Sequence, residues 1–138
     1  MFLVKKEEIN AEINKVNEYL SKCLWMEFTL GQSSWGLLEL YGAIDQTYNN
    51  YVDNYEIKLM FEYPHFVSSL FTWKAEPSRP FISLCAADKV GEMNTKYRIE
   101  LGNYVFEINA EDYDYPPIII IAKKIVCEIL NEKPFSST

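Results

Sequence analysis

From Lys5 to Lys22 the apolar positions Ile9, Ile13, Val16 and Leu20 recur at spacings of four, three and four, with Lys, Glu and Asn on the opposite face. That period predicts an amphipathic helix over 5–22 that must lie on an apolar surface. At Leu24 the period changes to two: Leu24, Met26, Phe28 and Leu30 alternate with Trp25, Glu27 and Thr29, as on a strand with two unlike faces. Gly31 to Ser34 then reads as a turn, and Trp35 to Ala43 as a second strand whose Gly36 and Gly42 share a face with Leu38 and Leu40. Asp45 to Asn54 has no clean period and is placed as a loop or irregular edge. Tyr55, Ile57, Leu59, Phe61 and Tyr63 alternate with Glu56, Lys58, Met60 and Glu62, which gives the clearest strand, ended by Pro64.

Val67, Ser69, Phe71 and Trp73 share one face of a further strand, followed by the proline-bearing loop Glu76 to Pro80 and a short central strand, Phe81 to Ala87. Tyr97, Ile99 and Leu101, then Tyr104, Phe106 and Ile108, flank Gly102-Asn103 and predict a tight hairpin. Pro116-Pro117, capped by Asp114 or Tyr115, reads as a helix start, and Ile118, Ala122, Ile125, Val126, Ile129 and Leu130 continue one stripe over 116–131. The run of isoleucines also suits a strand on propensity alone. The expected fold is α+β: one domain over 1–138, with an antiparallel meander sheet of about seven strands across 24–109 and an N-terminal and a C-terminal helix packed on it. A β-barrel capped by the helices is the alternative.

Composition narrows the class. A chain of 138 residues with 49% apolar and 15% aromatic content buries a single core and needs no staple. The longest apolar run, Pro116 to Ala122, is far short of a bilayer span, and the N-terminal residues turn charged at once, so a cytoplasmic, membrane-free protein is expected. Cys23, Cys85 and Cys127 are dispersed among apolar residues, as core thiols are. The net charge of −7 is concentrated at 24–63 and 101–138, a field that disfavours nucleic acid and favours a cationic partner.

Chemistry is weakly signalled. The sole histidine, His65, follows Tyr63-Pro64 in a turn and has no nucleophile elbow to serve. One His and three scattered Cys lack zinc-ligand spacing, the Asp/Asn run 45–53 lacks the glycine of a calcium loop, and the five glycines form no phosphate loop. No catalytic residue, cofactor or metal is expected. Glu107, Glu111, Asp112 and Asp114 suit a helix N-terminus better than a general-acid pair. Two stretches remain, DQTYNNYVDNY at 45–55 and EINAEDYDY at 107–115, which mix acid, amide and tyrosine. Tyrosine supplies large contact area with few rotors, and carboxylates steer Lys- and Arg-rich partners. Candidate partner-binding residues are Asp45, Tyr48, Tyr51, Asp53, Glu111, Asp112, Tyr113 and Asp114, with 45–55 the sharper of the two stretches.

The opening Glu/Lys/Asn helix, WGLLELYG at 35–42, FVSSLFTW at 66–73 and YDYPPIIIIAKKI at 113–125 together resemble the small acidic immunity proteins of bacterial polymorphic-toxin and contact-dependent growth inhibition systems. The resemblance implies a non-enzymatic cytoplasmic inhibitor, a monomer or weak dimer, that blocks a cognate toxin domain by tight binding. Many such toxins are nucleases with basic clefts. Two other classes stay open: a small-molecule-binding or hydrolase domain with a pocket near Trp25, Trp35 or Trp73, and a structural oligomer subunit.

Overall fold

A computed structural model describes residues 4–23, 25–34, 36–44, 55–76, 78–86, 89, 91–92 and 102–132. The helical stripe forms α1 (Lys6–Ser21), with Ile9, Ile13, Val16, Tyr19 and Leu20 buried. Nine strands follow among the described residues: β1 (Glu27–Ser34), β2 (Leu37–Ala43), β3 (Ile57–Glu62), β4 (Phe66–Ser68), β5 (Thr72–Lys74), β6 (Ile82–Leu84), β7 (Tyr104–Ile108), β8 (Ile118–Ala122) and β9 (Lys124–Ile129). They build a five-stranded sheet in the order β5-β1-β2-β3-β9 and a four-stranded sheet in the order β4-β8-β7-β6, with every pairing antiparallel. The class is α+β, with one helix rather than two and two sheets rather than one meander.

The expected C-terminal helix over 116–131 is instead two strands, β8 and β9, one in each sheet. Four consecutive isoleucines are stiff at χ1 and fit a pleated surface better than a helical turn. Beyond them the burial alternates: Ile125 and Cys127 point inward, whereas Lys124, Val126 and Glu128 do not. The apparent helical stripe was accidental, since Val126 is only half-buried and Leu130 is exposed. Without that helix, Asp114 and Tyr115 cap nothing.

The expected strand 66–73 is cut in two. Phe66–Ser68 joins β8 in one sheet and Thr72–Lys74 joins β1 in the other, so the chain crosses between sheets at Ser69-Leu70. Of the face assigned to Val67, Ser69, Phe71 and Trp73, only Trp73 is buried, and Phe71 is 83% exposed. Gly31 to Ser34 is not a turn but the end of β1, where Gly31 and Gln32 oppose Glu39 alone between the pairs Leu30↔Leu40 and Ser33↔Leu38. This is a β-bulge, and Tyr41 packs so closely over Gly31 that a Cβ there would collide with its ring. The chain turns at Gly36, whose φ of +90° suits glycine. The short strand placed centrally at 81–87 is β6, last in its sheet among the described residues. The first arm of the Gly102-Asn103 hairpin lies outside the described residues; Gly102 itself has φ +92°, and the second arm is β7.

The two sheets face one another over the main core, and a smaller cluster of Cys85, Val105 and Ile121 lies apart from it. Phe28 of β1 stacks on Phe81 at 4.4 Å between centroids, and Phe61 of β3 meets Phe106 of β7 edge-on at 5.2 Å. Such pairs add about 1 kcal/mol each beyond burial. Gly42 lets Phe28 and Ile57 close over β2, since a Cβ there would lie 2.9 Å from the Phe28 ring and 2.7 Å from the Ile57 side chain.

The sheets also share a bent ladder. Lys123 N–H donates to Glu62 O at 3.1 Å and His65 N–H to Ile121 O at 2.7 Å, carrying β3/β9 pairing into β4/β8 pairing. Across that bend Tyr63, Pro64 and His65 oppose only Ala122 and Lys123, between the pairs Glu62↔Lys124 and Phe66↔Ile121. This second bulge holds Tyr63 at φ +54°, a left-handed conformation costing about 1–3 kcal/mol in a tyrosine. Tyr63 therefore leaves the row of Ile57, Leu59 and Phe61, which are buried, and stands 51% exposed.

Helix α1 packs against β9 and β6 and covers strand backbone that the sheets leave unmatched. Asn17 donates to Ile82 O at 2.8 Å and accepts from Ile82 N–H at 3.0 Å, as a neighbouring strand would. Lys15 Nζ donates to Cys127 O at 2.9 Å, and Cys127 N–H donates to Glu12 at 3.3 Å. An uncovered sheet edge is a template for aggregation, and here polar helix residues occupy it.

Candidate functional site

Sheet register decides where the two acid and tyrosine stretches meet the fold. Glu27, at the start of β1, pairs with Lys74 of β5 on one side and with Ala43 of β2 on the other, and Gly42 pairs with Ile57 of β3. Ala43 and Ile57 bracket the first stretch. The second is fixed to the same row, because Glu111 N–H donates to Lys74 O at 2.9 Å. Both stretches therefore emerge at one end of the five-stranded sheet, with Lys74 and Ala43 two strand spacings, about 10 Å, apart.

Asp45, Tyr48, Tyr51 and Asp53 lie outside the described residues, but the base that carries them is described. Ile44 N–H donates to the Glu56 carboxylate at 2.8 Å, Glu56 N–H to Gly42 O at 2.8 Å, and Leu130 N–H to Glu56 O at 2.8 Å. Tyr55 folds onto the outer sheet face, its ring 5.0 Å from Tyr41 and 5.6 Å from Lys58 Nζ. Lys58 is also bridged to Glu39 at 3.4 Å and to Glu128 at 3.9 Å. Although burial works against its charge, the hydrogen bond and charge of Tyr55, together with Glu39, leave its pKa raised.

Glu111, Asp112, Tyr113 and Asp114 are all exposed, and Tyr115 beside them is 81% exposed. Their backbone is nonetheless fixed. Tyr113 N–H closes a turn on Ala110 O at 3.3 Å, and Asp112 takes φ +72°, which a short polar side chain tolerates better than most. Arg79 reaches across from the Glu76–Pro80 loop and donates through Nη2 to Ala110 O at 3.1 Å and to Tyr113 O. The loop is itself ordered by Glu76, which accepts from Ser78 N–H at 3.0 Å and from the Ser78 hydroxyl at 2.7 Å. Those two bonds, with the Arg79 charge adding to them, hold the Glu76 carboxyl below its usual range.

Sequence reasoning named the acids of this turn but not its fastening. Trp25, considered only as a pocket wall, lies under Lys74 Nζ at 5.5 Å from the ring centroid, so an aromatic plate borders the acidic turn. Trp73, the other candidate pocket wall described, is closed into the core and stacked on Phe28 at 6.0 Å.

His65 stands far from these acids, at the sheet bend. Cys23, Cys85 and Cys127 are buried reduced thiols. Burial, with Glu56 adding to it, pushes the Cys23 pKa up to about 11, and burial pushes Cys127 up to about 12, so neither is primed as a nucleophile. Among the described residues no group of three or more His, Cys, Asp or Glu is placed to hold a metal, and no helix is long and apolar enough to cross a membrane. Compared with protein-family models, curated proteins and solved structures, the chain matches none.

Proposed function

We propose that this protein is a non-enzymatic immunity protein that neutralises a cognate bacterial toxin in the cytoplasm. One end of its five-stranded sheet would bind the toxin's basic cleft in a 1:1 complex. The observation that carries this reading is the shared row Lys74, Glu27 and Ala43, which brings the attachment points of both acid and tyrosine stretches to one end of the molecule. A second support is that the acids Glu111 to Asp114 serve no helix N-terminus. No helix starts at Pro116, so no helix dipole stabilises those charges. A fixed turn presenting carboxylates and tyrosines loses little conformational freedom on binding, which favours affinity. A nuclease whose cleft normally holds a phosphate backbone offers the complementary charge.

The test is capture of the partner of the tagged full chain from its native source, identification by mass spectrometry, and reconstitution of the purified pair. The reading expects a toxin catalytic domain, 1:1 stoichiometry and loss of toxin activity in the complex. A partner without toxic activity, or a toxin that stays active when bound, contradicts it.

A further inference from the structure

At the opposite end of β1 from the acidic turn, the Tyr63–His65 bulge and the Gly36 turn border an open groove of about 320 Å³. Seven steps along β1, at about 3.3 Å each, separate the two ends by about 23 Å. The groove is lined by Ser34 and Gly36 from the β1–β2 turn, by Tyr63, Pro64 and His65 from the bulge, and by Asn103 and Lys123. No carboxylate is among these residues, in a chain of net charge −7. The nearest acid in the ladder, Glu62, is bridged to Lys124 at 3.6 Å, and Lys58 is engaged by Glu39 and Glu128. Lys123 takes part in no ion pair among the described residues.

The bulge explains why these groups converge. Its extra residue breaks the alternation of the strand and re-aims the side chains around it, so that Tyr63, Pro64 and His65 line one groove with Lys123 of the facing strand segment. The left-handed φ of Tyr63 is the backbone feature that sustains this, and strain of that kind concentrates at ligand sites. Tyr63 N–H is tied to Gly36 O at 2.9 Å, which fixes the bulge against the turn that carries Ser34.

We propose that this groove is an oxyanion site for a small phosphorylated or carboxylated ligand. Lys123 supplies the charge, Ser34 supplies a hydrogen-bond donor, and the Tyr63 ring with Pro64 forms an apolar wall for the remainder of the ligand. The site is separate from the partner surface and stands whether or not the protein neutralises a toxin.

The test is an amide NMR titration of the full ¹⁵N-labelled chain with inorganic phosphate and, in parallel, with succinate, each against sodium chloride at matched ionic strength. Saturable shifts at Tyr63, His65 and Lys123 are expected with at least one anion. Phosphate alone points to a phosphorylated ligand, succinate alone to a carboxylated one, and both to any small oxyanion. Lys123→Met should weaken binding at least tenfold with the dispersed spectrum retained, while Lys124→Met, which removes the neighbouring paired lysine, should leave it within twofold. Should Lys123→Met disturb the fold, Lys123→Gln replaces it. Absence of saturable shifts with both anions, shifts reproduced by sodium chloride, or undiminished binding in the Lys123 variants overturns the proposal.

Discussion

The Glu111 amide donates to the Lys74 carbonyl at 2.9 Å, and this one bond fastens the acidic turn to the row of strands from which the 45–55 stretch also departs. Residues far apart in sequence thereby share one end of the sheet. Electrostatic steering depends on such summation, since charges within a Debye length of about 10 Å act together on an approaching partner.

Arg79 is the other fastening of that turn. Arg79→Ala should cost about 1.5 kcal/mol in urea unfolding, the scale of a charge-assisted hydrogen bond, and should speed amide exchange at Tyr113. Arg79→Lys should recover only part of this, because an ammonium lacks the planar fork. An unchanged exchange rate in Arg79→Ala would show that the turn holds itself.

Asn17 acts as a strand surrogate for β6. Asn17→Ala leaves both peptide groups of Ile82 without their partner and should destabilise the protein by about 1–3 kcal/mol. Asn17→Asp should be intermediate, since it keeps the acceptor for Ile82 N–H and loses the donor for Ile82 O. Chemical denaturation of the three proteins gives the comparison, and equal midpoints would refute the surrogate role.

Alkaline stability follows from the buried thiols. Cys23 and Cys127 titrate near 9.0 when exposed but at about 11 and about 12 in the fold, so the folded state holds these protons more tightly. Their contribution is fully present below pH 9 and is lost as pH rises through the folded values. The urea midpoint should be level up to about pH 9 and fall beyond it, and replacing both cysteines with alanine should lessen that fall, the remainder coming from Tyr19, Tyr41 and Tyr104, whose hydroxyls burial also pushes up. At pH 8 neither thiol should react with a disulfide reagent until urea is added. Rapid reaction in the folded protein would contradict the burial argument.

The elements that were legible in the sequence have one strong period each. The α1 stripe and the alternation Ile57, Leu59, Phe61 both reappear as buried rows. Where two periods fit the same letters the reading failed: Ile118 to Leu130 satisfies a helical stripe, and only tertiary pairing with β3 and β7 settles it as strands. Bulges were invisible because an extra residue at Gly31-Gln32 or Tyr63–His65 looks like a broken strand until its partner is known. The acidic residues of the site could be read directly, since charge is a property of composition. The pins that hold it, Arg79 and Lys74, act through backbone carbonyls and leave no mark in the pattern.

The central claim is tested most directly by the association rate of the reconstituted complex across a sodium chloride series. The measurement compares the natural chain with Asp45→Asn/Asp53→Asn and with Glu111→Gln/Asp112→Asn/Asp114→Asn. If the two stretches form one steering surface, the natural chain associates fast at low salt and slows steeply as salt rises. Each variant should then start about tenfold slower with a shallower salt slope, and dissociation should change less. A rate independent of salt, or both variants associating as fast as the natural chain, would contradict the account.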